Sequence, residues 1–296
     1  MSDWQVGEVR VSKIVELEKL WDPTHLVPQA TREVVLQHDW ALGPFADAET
    51  GDVRVSFHSF GLQVGDEKIL VDTCGGNDKI RPGSPTFHLQ HTDFLDRLVA
   101  AGFPPEEVTA VVCTHLHVDH VGWNTVLDDG EWRPTFPNAR YLFGETDWDH
   151  WRVEPQIYGD VVGDSVRPVI DAGRAELVAS DLRLNDLVRL EPTPGHTPGH
   201  HSVRISSNGD DAVITGDVFH NALQIEHPDW ASAPDVDPEQ AAATRRRFIE
   251  HYSDDHTLIL ATHLGGPSSG YFRRHEHGWR LDPLDPTPSA AQAGAR

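Results

Sequence analysis

The chain has 296 residues, with 24 Lys and Arg set against 47 Asp and Glu, for a formal net charge of −23. Phosphate backbones need a positive surface, so this balance excludes nucleic acid as a natural partner, and it repels anionic substrates at long range, leaving a small neutral or weakly charged one. No apolar run approaches the ~18 residues of a membrane span, the polar start Met1-Ser2-Asp3-Trp4-Gln5 is no secretory signal, and two cysteines, Cys74 and Cys113, make no disulfide framework, so a reducing cytoplasm is the expected location.

Residues 1–50 carry scattered aromatics and prolines, among them Trp21, Pro23, Leu26, Pro28, Trp40 and Phe45. This is poor strand or helix material and reads as an N-terminal arm or cap. It would either pack on the flank of the body or serve as a lid over a site or a subunit contact, the latter building a homodimer. Residues 51–280 form the body. Arg54–Val64 alternates as a strand and Lys68–Asp72 reads as another. His91–Gly102 reads as a helix, with Phe94, Leu95, Leu98 and Val99 on one face and Gly102 as its stop. Val108–Cys113, a run of β-branched residues, reads as a buried strand.

Directly after that strand comes Thr114-His115-Leu116-His117-Val118-Asp119-His120-Val121-Gly122. Three imidazoles and a carboxylate within six positions are hard to explain as core or as surface. Neutral imidazole and carboxylate oxygen suit zinc and its neighbours. A loop leaving a strand can aim alternate side chains at two adjacent points, so one segment could serve two metal ions. Three later segments add ligand types: Thr193-Pro194-Gly195-His196-Thr197-Pro198-Gly199-His200, a loop tightened by Pro and Gly; Ala212–Asp217, a short apolar strand ending in Gly-Asp; and Leu258–His263, an apolar strand ending in His. Four segments thus deliver His or Asp at strand ends, as a sheet edge builds a site. Pro238–Tyr252 reads as a second helix, whose Arg245-Arg246-Arg247 triplet is expected as a solvated face near the C-terminal half. His200 and His201 are expected to be structural, and His275 and His277 to lie on the surface. Leu281–Arg296, rich in Pro, Ala, Asp and Gly, reads as a disordered tail.

In this order the motifs resemble the metallo-β-lactamase fold superfamily, a four-layer αββα sandwich of the α/β class, over roughly residues 53–272. The matching residues are His115, His117, Asp119, His120, His196, Asp217 and His263. Upstream, Ile69-Leu70-Val71-Asp72-Thr73 and Cys74-Gly75-Gly76 look like that family's strand-Asp-Thr-Gly element. The resemblance implies two Zn2+ per chain. His115, His117 and His196 would hold one, Asp119, His120 and His263 the other, and Asp217 would bridge them. Asp72 would hydrogen-bond a metal-binding His and fix its tautomer. Zinc β-lactamases often carry Cys near the Asp217 position or Arg at the His120 position; this chain has neither, which points to the dinuclear hydrolase branches. The segment Gly216–His220, with Gln224 and the stretch 230–238, looks most like the lactonase and methyl-parathion-hydrolase-like group.

The chemistry so implied is attack on an ester-like bond by a hydroxide held between two cations, with Asp119 as the catalytic carboxylate that helps transfer the proton to the product. An N-acyl homoserine lactone is the leading substrate expectation. The alternatives are an organophosphate triesterase or aryl esterase and, in another class, a non-catalytic ligand-binding member of the fold. Trp21, Trp40, Trp148, Phe219 and His220 are the expected substrate-binding residues. No G-x-S-x-G serine nucleophile competes for the role.

Overall fold

Short runs rich in β-branched residues recur along the chain, and the computed structural model, which describes residues 2–253, 256–276, 278–284 and 287–288, forms them into two large sheets of nine and six strands. By their contacts the residues fall into two units, 1–17 with 57–182 and 287–296, and 18–56 with 183–286. This division does not follow the boundaries at 50 and 280 expected from composition.

In the first unit, Ser2–Val6 and Val9–Trp21 form an antiparallel hairpin with Val6 opposite Val9. Gly7 makes the turn at φ 56°, which glycine adopts at little cost. The arm or cap expected over residues 1–50 begins instead as paired strands: Val9 and Val11 are buried on one face, Ile14 is buried as well, and Trp4 packs at 6.1 Å from the Phe60 ring. Attention to the aromatics concealed a period-2 pattern of aliphatics. Downstream, Val53–Val64 pairs antiparallel with Glu67–Val71, which starts a parallel run through Ala110–Cys113, Arg140–Gly144 and Ala175–Val178. The helix expected over 91–102 is shorter, Phe94–Ala100. Thr92 donates its N–H to Asn77 Oδ1 at 2.8 Å, which ties the chain before the helix to a neighbouring loop instead of a first turn.

In the second unit the sheet runs Val188–Pro192, His201–Ser207, Asp210–Ile214, Thr257–Leu260, Ser269–His275, Gly278–Pro283. Only Asp210–Ile214 and Thr257–Leu260 are parallel, joined through the helix Pro238–His251. That helix starts as its sequence asks: the Asp237 side chain accepts the Gln240 N–H at 2.9 Å, and Pro238 occupies the first turn, where no N–H is missed. The core gathers Phe45, Val213, Phe219, Phe248, Ile259, Phe272 and Leu281, with Trp40 packed against it. Residues 22–50 therefore contribute to this core rather than hanging free, and Ala233 donates its N–H to the Leu26 carbonyl at 2.8 Å.

Two more expectations change. Arg245 is not part of a solvated face: it is 1% exposed, while Arg246 and Arg247 are exposed. Its Nε donates to the Pro228 carbonyl at 2.9 Å, and its Nη1 lies 3.4 Å from Asp235 Oδ2. The tail does not begin at 281, because Leu281 sits in the strand Gly278–Pro283, opposite Phe272 and fully buried. Thr287–Pro288 pairs with Ser2 and Asp3. His277 and residues 285, 286 and 289–296 lie outside the described residues. No helix among the described residues is long and apolar enough to cross a membrane.

Candidate functional site

Each unit builds its ligand set by the same device, two adjacent parallel strands that end together. In the first unit Val71 registers with Val112, so the residues that leave the two strands, Asp72 and Thr114, meet. Thr114 donates its N–H to Asp72 Oδ1 at 2.7 Å, and the other carboxylate oxygen lies 2.9 Å from His120 Nδ1. Asp72 holds φ 59°, a left-handed conformation that Asp tolerates better than most residues. A buried carboxylate on Nδ1 fixes the proton there and leaves Nε2 as the lone-pair donor. His115 Nε2 and His117 Nδ1 stand 3.0 Å apart, and Asp119 Oδ1 lies 3.8 Å from His120 Nε2.

The loop carrying these groups is braced from residues that the sequence did not single out. Asp147, fully buried, accepts the Leu116 N–H at 2.9 Å, and Gln156 Nε2 donates to the Leu116 carbonyl at 2.7 Å. Gly122 is required by close approach: a Cβ there would sit 1.9 Å from the Gly75 carbonyl oxygen. The Gly75 N–H in turn donates to Glu16 at 2.8 Å, and Trp123 Nε1 donates to the same carboxylate at 2.6 Å. Burial pushes the Glu16 carboxyl up, against these hydrogen bonds. Burial also pushes the Tyr158 phenol up, with the charge of Asp119 adding, so Tyr158 remains a proton donor. Trp151 is buried with its ring 5.1 Å from His117, whereas Trp148, the expected contact, lies under the Arg167 guanidinium at 5.6 Å. An open cleft of about 610 Å³ is lined by Trp151, Glu154, Pro155, Gln156, Val161 and Arg167.

In the second unit Ile214 registers with Leu260, so Asp217 and His263 follow from neighbouring strand ends. The backbones are pinned where Thr262 donates its N–H to Thr215 Oγ1 at 3.2 Å. Three imidazoles converge on one oxygen, Asp217 Oδ2: His196 Nε2 at 3.3 Å, His220 Nε2 at 3.1 Å and His263 Nε2 at 3.1 Å. All four residues are buried. His196 Nδ1 is held by Asp235 Oδ1 at 3.0 Å, and His220 Nδ1 by Ser232 Oγ at 2.8 Å. Ser232 is held in turn by Gln224 Nε2 at 2.9 Å. His200, expected to be structural, accepts the Asp217 N–H on Nε2 at 2.8 Å. His263 holds φ 63°, which turns its ring back toward the carboxylate instead of continuing the strand.

His220 was expected to touch substrate; the structure places it with His196 and Asp217 in a buried group whose donor atoms lie within 4.8 Å of one another and could hold a metal ion. The signal available was its position three residues after Asp217. Phe219 is corrected more fully. It is 0% exposed and packed on Phe248 and Phe272 at 5.8 and 5.9 Å, so it is core and has no surface to offer a substrate. Trp40 packs on the same core and donates Nε1 to Glu226 at 2.9 Å. Trp21 is half-buried beneath the Lys19 ammonium at 4.7 Å.

The donors suit a zinc-class cation. Within each unit they are imidazoles and a carboxylate, all buried except the partly exposed Asp119, and the remote ring nitrogens of His120 and His196 are held by Asp72 and Asp235, the usual outer partners of such ligands.

A model of the metallo-beta-lactamase superfamily matches residues 56–276. Among curated proteins, an N-acyl homoserine lactonase of Bacillus thuringiensis is 25% identical over 173 residues, 57% of this chain and 62% of its own length. A probable metallo-hydrolase, YybB, of Bacillus subtilis (strain 168) is 24% identical over 179 residues, 60% of this chain and 68% of its own. The chain thus spans less than two thirds of the length of the lactonases it matches. Among solved structures, AidC, a dizinc quorum-quenching lactonase in complex with a product N-hexanoyl-L-homoserine, superposes with a TM-score of 0.78 at 20% identity, covering 96% of this chain and 97% of that one. The hydrolase AbOPH superposes at 0.77 with 24% identity, over 97% and 98% of the two chains.

Proposed function

Because this chain belongs to the metallo-beta-lactamase superfamily, we propose that it is a dinuclear metal-dependent hydrolase of ester-like bonds, and that a lactone of the N-acyl homoserine type is its substrate. The observation that carries the reading is the paired bracing of the ligand histidines: a buried carboxylate on His120 Nδ1 in one unit and another on His196 Nδ1 in the other. Imidazoles held in this way present their Nε2 lone pairs ready for a cation in each unit. In the proposal His115, His117 and His196 hold one ion, Asp119, His120 and His263 the other, and Asp217 serves both. His220, which also meets Asp217 Oδ2, adds a donor or holds the carboxylate in place.

Two bound zinc-class cations supply an acidic water and a Lewis acid for the carbonyl. The remaining work falls to side chains. Asp72 and Asp235 keep the Nε2 lone pairs of His120 and His196 turned inward. Asp119, partly exposed where its neighbours are buried, is positioned to accept a proton and return it to the departing alkoxide. Tyr158 keeps its proton and can donate to a carbonyl oxygen or to that alkoxide. The cleft at Trp151 and Val161 is of a size to take an acyl chain, and the net charge of −23 favours a neutral substrate such as a lactone over a free acid. A cytoplasmic location forms part of the reading and is supported by two buried free thiols, Cys74 and Cys113.

The test is a panel of lactones, aryl esters and phosphotriesters with zinc-reconstituted protein. The proposal expects N-acyl homoserine lactones to be opened with the highest kcat/KM. Faster turnover of phosphotriesters or aryl esters would move the assignment to those substrates, and no turnover of any would leave a binding protein.

A further inference from the structure

Among the described residues, one cluster outside these candidate donors is absorbed by neither the mechanism nor the core. His38 Nε2 and His227 Nε2 face each other at 3.2 Å, and a carboxylate oxygen of Glu226 lies within 4.8 Å of both. All three residues are half-buried and all belong to the second unit. We propose that His38, Glu226 and His227 form a separate zinc-class binding site, structural in role, that fastens the segment 18–56 to the end of the helix Leu223–Glu226.

The geometry supports this at each ligand. In a tetrahedral site with Zn–N of about 2.0–2.1 Å, two ligand nitrogens stand roughly 3.3–3.4 Å apart, and the observed 3.2 Å is close to that edge. His38 donates its Nδ1 proton to the Val34 carbonyl at 2.7 Å, which makes Nε2 the lone-pair nitrogen. This is the outer contact that metal-binding imidazoles usually make. The His227 ring is held flat on Trp230, with centroids 4.2 Å apart and planes 16° from parallel, so its direction is set before any ion arrives. Glu226 is oriented by Trp40 Nε1 at 2.9 Å and Arg280 Nε at 3.3 Å, both on Oε2. Its side chain is 4% exposed, yet a carboxylate has more lone pairs than these two donors use. Two imidazoles and one carboxylate leave the fourth position to water. The competing arrangement is a plain His–His hydrogen bond, which requires the His227 Nε2 proton to point at His38. A metal site displaces that proton.

The inference does not rest on the proposed hydrolase activity, and its readout is a difference in metal content. Full-length protein, equilibrated with zinc and passed through gel filtration, would be compared with His38→Gln, His227→Gln and Glu226→Gln by elemental analysis per folded chain. The wild type should retain about one more zinc than either His variant, whatever number the other ligands hold, and Glu226→Gln should bind that zinc more weakly. Zinc should also slow tryptic cleavage within 18–56 in the wild type and not in His38→Gln. Glutamine is tolerated at half-buried positions, and the three variants report independently should one of them fold poorly. Equal zinc content in wild type and both folded His variants would overturn the site and leave the hydrogen bond.

Discussion

Asp235 is expected to do two separable things, and Asp235→Asn should expose both. Its side chain is fully buried. One oxygen lies 3.0 Å from His196 Nδ1; the other accepts the Ser232 N–H at 2.8 Å and faces Arg245 Nη1 at 3.4 Å. Asparagine keeps the volume but loses the charge, and if its oxygen stays on His196, its amide meets two donors. Arg245, 1% exposed, then becomes a buried cation without a counter-ion, although burial already pushes its guanidinium down and only Asp235 pulls it back up. Breaking a buried pair from one side costs about 3–5 kcal/mol, which for a chain of this size lowers Tm by on the order of 6–10 °C. Separately, loss of the orienting carboxylate should weaken zinc at His196 by roughly 10- to 100-fold. The double variant Asp235→Asn/Arg245→Met removes the stranded cation and should recover most of the stability while leaving zinc weak. Urea melts and competition titration with a chelating dye measure the two effects. If zinc affinity returns together with stability in the double variant, Asp235 acts through folding alone and the orientation argument is wrong.

Further expectations follow from other sites. Asp217→Asn removes the charge on which three imidazoles converge, and kcat should fall on the order of 10²-fold or more, whereas Asp211→Asn, at the start of the strand Asp210–Ile214 and paired with Arg204 at 3.2 Å, should keep near-parental kinetics; equal activity in both would remove Asp217 from the centre. Metal analysis of chelator-free protein should find two zinc-class ions attributable to the His115–His263 ligand set, and a stoichiometry that stays at one after reconstitution, once any zinc lost in His38→Gln is subtracted, would refute a dinuclear centre. Trp21→Ala should raise KM or change acyl-length preference more than it lowers Tm; the opposite pattern would make Trp21 a packing residue. Burial pushes the Lys79 ammonium from 10.5 down to about 7, with Asp164 opposing. Between those values the unfolded chain binds more protons at this site than the folded one, so this group's contribution to stability rises with pH from about 7 to 10.5 and is smallest below 7. Lys79→Met should flatten that slope in urea midpoints taken from pH 7 to 9.5; identical slopes would mean that the ammonium stays charged, held by Thr125 at 2.6 Å and by the Trp132 ring at 3.5 Å.

The candidate metal-binding residues stood out in the sequence because their signal is local. A short β-branched strand followed within three residues by His or Asp recurs at Cys113, Ile214 and Leu260, and in the structure each of these strands ends where its neighbour does. The superfamily fold could be read for the same reason, from the order of those strand ends. Position three after Asp217 also marked His220 as near the chemistry, although not as one of the imidazoles that meet the Asp217 carboxylate. Elsewhere local patterns misled. Arg245 shares its triplet with two exposed arginines, and nothing next to it says that it turns inward to Asp235. Phe219 stands two residues after Asp217 in sequence but packs into the core together with Val218, because the 3-10 turn Gly216–Val218 follows the strand and carries the chain back onto Phe248 and Phe272.

The resemblance put Asp72 beside a histidine of the motif; only the tertiary structure decided that this histidine is His120, and that Asp235, Asp147 and Glu16 brace the other candidate loops. Asp72 and His120 are 48 residues apart, His196 and Asp235 39, Leu116 and Asp147 31, and Gly75 and Glu16 59. Each of these carboxylates is buried beside its partner, and an ionised carboxylate away from water must be paired or hydrogen-bonded to be tolerated. That pairing is set by strand register and loop packing across tens of residues, so no window of the sequence contains it. The sequence by itself determined which residue types stand ready to bind metal; register and burial decided which nitrogen of His120 and of His196 presents its lone pair.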